Sequence, residues 1–311
     1  MTYKDIHQHH IEHWENSAAD ESRAEIQKSW FRDDTVDVWR NTRMYDSVDC
    51  FNHRPELSFL TVGDGRFGLD AIRISQKGFN NVTATDISDA LLSQAKEKGL
   101  ISKYLIENAE SLSLPDDSYD VVFCKESYHH FPRAPLALYE MLRVCKLATI
   151  LIEPRDIDIG TICMSFTKTL RHLLSIMRFK LFPSWQKTPT NTELYSDGAK
   201  ADYETSGNYI YSLSPREVEK IALGSNMPAV AFKGIGDFYI KGGEFAELDS
   251  AIGKAIMTKI DSQEKAFRAG SRATAMLASI IFKVMPDEET CMRLEAEGYY
   301  VKKLPRNPYI T

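Results

Sequence analysis

A chain of 311 residues is long enough for one large α/β domain or two small ones, and 43% hydrophobic with 26% charged residues is the make-up of a globular protein with a substantial core. Its 38 Lys and Arg against 44 Asp and Glu leave a net charge of −6, which argues against a generally nucleic-acid-binding surface. Five scattered cysteines (Cys50, Cys124, Cys145, Cys163 and Cys291) form no CxxC pair and no metal-ligand spacing, as expected of reduced thiols in a cytoplasmic protein, and the polar start and lack of a long apolar run predict neither a signal peptide nor a membrane span.

Residues 1–45 are polar and rich in helix formers, with Trp14, Trp30, Phe31, Val36, Trp39 and Tyr45 at roughly helical spacing. Apolar runs at 58–63, 81–85, 103–107, 120–124 and 148–153 read as strands and alternate with helical stretches at 67–77, 88–98 and 134–145. That alternation predicts a parallel, doubly wound α/β sheet. Beyond Glu153 it stops. A basic helical segment is expected over about 162–182, and a helix opened by Ser214-Pro215-Arg216-Glu217 should end near Gly224. A strand at 229–240, a long helix at 244–268, a strand at 278–284, a helix from Asp287 and a last strand at 299–304 complete the reading. The predicted organisation is an N-terminal helical lid (1–50) on a single domain (51–311), with an insert at 157–226, between the fifth and sixth strands, covering the strand ends.

The most informative local feature is the run Leu57-Ser-Phe-Leu-Thr-Val-Gly63-Asp64-Gly65-Arg-Phe-Gly68, with Val82-Thr-Ala-Thr-Asp86 after it. Glycine at a tight strand-to-helix turn lets a ligand approach the backbone, where the free N–H groups of the helix start also point. An acid ending the next strand, 23 positions after Gly63, can accept both hydroxyls of a ribose. The pairing implies an adenosine-containing cofactor, and the spacing suits both NAD(P)-dependent Rossmann enzymes and S-adenosylmethionine-dependent methyltransferases.

The residues beyond Asp86 separate the two. Tyr104-Leu-Ile-Glu-Asn108-Ala109-Glu110 leads to Ser-Leu-Ser-Leu-Pro-Asp-Asp-Ser-Tyr-Asp120 and then to Val-Val-Phe-Cys-Lys125-Glu126-Ser-Tyr-His129-His130-Phe131. Over roughly residues 56–155 this order resembles class I S-adenosylmethionine-dependent methyltransferases, in particular the group that includes quinone- and sugar-methylating enzymes. The resemblance implies a seven-stranded Rossmann-like sheet and S-adenosyl-L-methionine as methyl donor. It also implies residue roles: Gly63, Asp64 and Gly65 against the methionine part and ribose, with Gly68 completing the glycine turn; Asp86 on the ribose hydroxyls; Ile87 packed on adenine; Asn108 and Ala109 reading the adenine edge; and the Lys125 backbone lining the methionine end. The chain departs from the family in two places. Thr61 stands where an acid usually helps hold the loop and the cofactor's amino group, and Asn108 stands where Asp is more frequent, although an amide oxygen still accepts from the adenine amine.

Transfer to a hydroxyl needs positioning and removal of a proton. His129 and His130 come directly after the fourth strand on the side where the methyl must emerge, and Glu126 competes as a base. Glu153, at the end of strand five, is expected on the acceptor side. His7, His9, His10 and His13 raise a metal reading through the i,i+4 pair His9 and His13, but no further ligand set completes it, and no metal is expected. Between Gly160 and Asn191 there is no acid, while Lys168, Arg171, Arg178, Lys180 and Lys187 are interleaved with apolar residues, which suits either a phosphorylated acceptor or peripheral contact with a membrane carrying a lipid-linked one. Tyr209 and Tyr211 could stack on a sugar or ring. The expected activity is methylation, at oxygen, of a small molecule or glycan precursor: first a sugar or nucleotide-linked sugar of surface-polysaccharide biosynthesis, second a quinone-like or lipid acceptor. An NAD(P)-dependent oxidoreductase and a non-catalytic cofactor-binding module are the competing readings.

Overall fold

A computed structural model of the chain describes residues 3–20, 24–156, 212–240, 242–269 and 274–309. Three N-terminal helices, α1 (Tyr3–Ala19), α2 (Ala24–Ser29) and α3 (Val36–Thr42), precede a 3₁₀ segment at Arg43–Phe51. Then come β1 (Ser58–Val62), α4 (Leu69–Gln76), β2 (Asn81–Asp86), α5 (Leu92–Glu97), β3 (Tyr104–Ile106), β4 (Tyr119–Lys125), α6 (Ala134–Val144) and β5 (Cys145–Pro154). Beyond the insert lie α7 (Pro215–Gly224), β6 (Ala229–Ile235), α8 (Ala251–Arg268), β7 (Met276–Phe282), α9 (Glu288–Ala296) and β8 (Tyr300–Lys303). No described helix is long and apolar enough to cross a membrane.

The strands form one sheet in the order β3-β2-β1-β4-β5-β7-β6-β8. The first five are parallel, and β7 runs antiparallel between β5 and β6. The expected doubly wound α/β sheet is present, with eight strands instead of seven: the run read as a last strand pairs antiparallel with β6 and extends the sheet edge. Alternate residues of β1 feed two cores, as the two-residue side-chain period requires. Phe59 joins Ile74, Phe79, Leu92 and Phe123 under α4 and α5, whereas Leu60 and Val62 join Leu138, Met141 and Val218 under α6 and α7. With helices on both faces the strands become continuous apolar runs, and β1 and β7 are buried at every position.

Local chemistry sets the boundaries. α4 starts at Leu69 because Gly68 holds a left-handed φ of +66°. α7 starts at the capping box anticipated from Ser214 and Glu217, with Pro215 in its first turn. β6 stops at Ile235, short of the expected 240, because its partner β7 begins at the opposite residue, Met276. The helix expected from 244 begins at Ala251, where the Ser250 side chain accepts from Gly253 N.

The sheet's topology also places the site. From β1 the chain moves outward to β2 and β3, then returns to lay β4 on the other side of β1. Ligands of open α/β sheets bind outside the carboxyl ends of the strands at such a reversal. Residues 157–211, which include the expected basic helix, lie outside the described residues, but the point of departure and return is clear. Leu213 N donates to Pro154 O and Asp156 N to Leu213 O, each at 2.9 Å, so the segment leaves from and returns to the carboxyl end of β5.

Candidate active site

The loop after β1 is shaped by contacts that leave no room for side chains. Gly63 has φ +76°, and a Cβ there would lie 2.4 Å from Ser127 Cβ at the end of β4. The Ser127 hydroxyl donates to Gly63 O at 2.7 Å and ties the two strand ends together. A Cβ on Gly65 would lie 2.8 Å from Asp86 Oδ2, so glycine there keeps the space in front of the carboxylate open. Asp86 Oδ1 accepts from Ser88 N at 3.0 Å. Burial pushes the Asp86 carboxyl up to about 6, against the backbone N–H groups of Ser88, Ile87 and Gly65.

Thr61 and Asp64 explain how the loop holds without the usual acid. Thr61 is fully buried and donates to Asp64 Oδ2 at 2.7 Å, while Asp64 accepts from Asp70 N (3.0 Å) and Ala71 N (2.9 Å), capping α4. The Asp64 carboxylate is thus turned into the helix start, and the residue borders a smaller cavity beside the same loop. Lys125 Nζ donates to Asn41 Oδ1 at 3.1 Å and pairs with Glu126.

Above the strand ends runs a cleft whose floor carries Gly63, Gly65 and Asp86. Ile87, Asn108, Ala109, Trp14, His129, His130 and Phe131 line it as well. Asn108 Oδ1 accepts from Glu110 N at 3.0 Å, and Nδ2 lies 3.4 Å from His7 Nδ1. His7 Nε2 is 2.9 Å from Glu110 Oε2, which also receives Arg133 Nε at 2.7 Å. These contacts seat α1 over the cleft, where Trp14 packs edge-on against His130 at 5.3 Å between ring centroids. Trp14 Nε1 donates to His10 Nε2 at 2.8 Å; burial, with His13 and His7 adding, pushes His10 down to about 4, so it stays a neutral acceptor.

Beneath this rim lies an arrangement that sequence order did not give. Glu153 is fully buried, and its Oε1 accepts from Ser127 N (3.0 Å) and Tyr128 N (2.9 Å). Its Oε2 lies 2.5 Å from His129 Nδ1, and the His129 ring is only 4% exposed. Glu153, expected to face the acceptor, instead lies under the Tyr128–His130 turn, and its carboxylate is occupied by the turn and the ring. His130 stacks 4.1 Å from His129 at a 42° tilt. Glu126 borders the cleft with φ +50°, a left-handed conformation uncommon for a non-glycine residue. Burial alone would raise its carboxyl, but Lys125, Arg66 and Arg40 outweigh that and hold it at about 2. Arg171, Arg178, Tyr209 and Tyr211 lie outside the described residues. Sequence reasoning missed Glu110, Ser127 and the positioning role of Glu153. Glu110 had one signal, its place two residues after the adenine-reading position.

The space before Asp86 and the acceptor pattern around it suit a ribose, and the Asn108-Ala109 edge suits a base. Residues 60–152 match a family described as methyltransferase domain. The chain is 36% identical over 101 residues to 2-methyl-6-phytyl-1,4-hydroquinone methyltransferase of Synechocystis sp., covering 32% of this chain and 31% of that protein. It is 28% identical over 147 residues to the ubiquinone/menaquinone biosynthesis C-methyltransferase of Rickettsia rickettsii, covering 43% and 55% respectively. Matches thus span about half or less of these curated relatives' length. Among solved structures, the YcgJ protein of Bacillus subtilis superposes with a TM-score of 0.43 at 18% identity, covering 78% of this chain and 100% of that one. Residues 60–152 thus form a methyltransferase domain, similar in sequence to the matching part of these quinone methyltransferases.

Proposed function

We propose that this protein transfers a methyl group from S-adenosylmethionine to a hydroxyl oxygen of a ring-bearing small molecule, with His129 as general base. The observation that carries the reading is the buried contact between His129 Nδ1 and Glu153 Oε2 at 2.5 Å, beside the cleft that Asp86 and Asn108 also line. With Nδ1 committed to a carboxylate, Nε2 is the ring nitrogen that takes a proton, and Glu153 stabilises the imidazolium that forms. The cofactor, when bound, supplies an activated methyl on a sulfonium centre. Asp86 would accept the ribose hydroxyls, Gly65 would admit the sugar, Ile87 would pack on adenine, and Asn108 and Ala109 would read its edge.

The acceptor end favours a flat ring over an open polar chain. Trp14, His130 and Phe131 line it and offer ring faces and edges for stacking. Hydroxylated aromatic rings are therefore the acceptor class of choice, ahead of sugars; the names of the quinone-methylating relatives support a ring acceptor, one of them with methylation at carbon. Incubation with S-adenosylmethionine and a panel of hydroquinones, catechols and nucleotide sugars, read by mass spectrometry, tests this. Methylation of the phenolic members alone is expected, and a panel on which only sugars react would reverse the order.

Asp86 provides the cofactor test. Loss of a charge-assisted bond costs about 1.5–3 kcal/mol, so Asp86→Ala should weaken S-adenosylhomocysteine binding about tenfold or more in calorimetric titration. The ribose hydroxyls need the ionised carboxylate, whose pKa is raised to about 6. Wild-type affinity should therefore be full above neutrality and fall as the pH drops through about 6, a dependence that Asp86→Ala should lose. An affinity flat from neutral to acid pH in the wild type would remove Asp86 from the ribose.

A further inference from the structure

α1 is fastened to the rest of the molecule mainly by polar and aromatic contacts. A surface helix is ordinarily held by an apolar stripe sunk into a core, as α6 is by Ala134, Ala137, Leu138, Met141, Leu142 and Val144. Among the described residues of α1 only His10 is buried, and only Ala18 packs against an apolar core. Asp5, Gln8, His9, Glu12, Glu15 and Asn16 are exposed. The inward stripe is His7, His10, Trp14 and Ala18, at steps of three and four residues, and all four line the cleft.

The holds at the rim are specific. His7 Nε2 lies 2.9 Å from Glu110 Oε2, and Trp14, two helical turns on, meets His130 edge-on. The Glu110 side chain is only 1% exposed, and it also accepts from the backbone N and the Nε of Arg133. When His7 leaves, Arg133 therefore stays, and parting does not strand an unpaired charge in the interior. A helix with so little apolar anchorage, whose main polar hold can part without that penalty, opens at low free-energy cost.

Resting on the reading of the cleft as an S-adenosylmethionine site, we propose that α1 is a lid over the cofactor with Glu110 as its latch, and that the cofactor enters and leaves when His7 releases that carboxylate. His7 and Trp14 stand in the wall of the same cleft as Asp86 and Asn108, so a molecule held by those two residues lies against the inward stripe of α1. A bound cofactor gives that stripe a surface to pack on, and occupancy and closure then favour each other. The latch is also tied to the proposed adenine reader, because Glu110 N donates to Asn108 Oδ1 at 3.0 Å.

The test is the kinetics of S-adenosylhomocysteine binding to immobilised full-length protein, with amide hydrogen exchange alongside. A latch differs from a ligand contact in a measurable way: loosening it speeds entry and exit together, whereas losing a contact speeds exit alone. His7→Ala should raise the association and dissociation rates alike, each by about tenfold, and leave the Kd within about threefold. Trp14→Ala, which frees the other hold, should shift both rates in the same direction. In the wild type, S-adenosylhomocysteine should slow amide exchange across residues 3–19. Neither variant should lower the melting temperature by more than a few degrees, since α1 adds so little to the cores. A rise in dissociation alone makes His7 a cofactor contact and overturns the lid, as does a pair of rates indifferent to both variants. Exchange across α1 that S-adenosylhomocysteine leaves unchanged overturns it in the wild type, whether or not a variant folds. If the wild type does not bind S-adenosylhomocysteine at all, the cofactor reading itself falls; binding at rates that ignore His7 and Trp14 sinks only the lid.

Discussion

Replacing His129 by glutamine should lower the turnover of a hydroxyl acceptor by about 10²–10⁴-fold, the usual contribution of a general base. Glutamine can fill the ring's place over Glu153 and still hydrogen-bond to it, but it cannot take up a proton. Cofactor affinity should hardly move, because the ribose and base are proposed to be held by Asp86 and Asn108 and not by His129. Single-turnover kinetics with saturating cofactor, paired with S-adenosylhomocysteine titration, separates the two effects. A rate loss below about fivefold, well short of a base's ordinary share, would return His129 to a packing role beside Trp14 and His130. His130→Gln is the internal control: it lines the same cleft, and because the proposal makes His129 the base, its loss should be the smaller.

The parts of this molecule that were legible in its sequence are those where local backbone geometry dictates residue type. Gly63, Gly65 and Gly68 could be read because a tight strand-to-helix turn with positive φ or a facing carboxylate excludes a Cβ. Asp86 could be read because a strand end fixes its direction. The alternation of strands and helices gave the parallel half of the sheet, and the Ser214–Glu217 box gave the start of α7. Long-range docking was not legible. That α1 sits on the cleft depends on His7 meeting Glu110 and Trp14 meeting His130, pairs separated by more than a hundred residues. The side taken by Glu153 depends on the phase of the pleat. Leu151 faces the α6 core, so Glu153, two residues on, points to the same face and passes under the turn that carries His129. Counting from the strand's end could place Glu153 near the acceptor but could not tell above from below. The bonding of the Asp64 carboxylate was hidden for a related reason, since it depends on Thr61 and on how the amides of α4 meet it.

The strongest test of the arrangement is Glu153→Gln, because it changes one atom type in a fully buried group. The amide oxygen can keep the bonds from Ser127 N and Tyr128 N, so the turn should persist and stability should fall by no more than about 1–2 kcal/mol. The amide nitrogen then faces His129 Nδ1 as a donor, where the carboxylate was an acceptor. The imidazole must respond with the other tautomer, accepting at Nδ1 and carrying its proton on Nε2, the nitrogen that the reaction needs bare. It also loses the negative charge that stabilises the imidazolium. Turnover should drop by about 10²–10⁴-fold, close to the loss from His129→Gln, and the double variant should be scarcely worse than either single one, since the two groups act as a unit. Glu153→Ala should behave differently. It strands two buried N–H groups and opens a cavity, so it should lose about 2–4 kcal/mol of stability as well as activity. Thermal unfolding alongside kinetics tells the two apart. A Gln variant that unfolds as readily as the Ala variant, or one that turns over at the wild-type rate, would reduce Glu153 to a scaffold for the turn and leave His129 without its orienting partner.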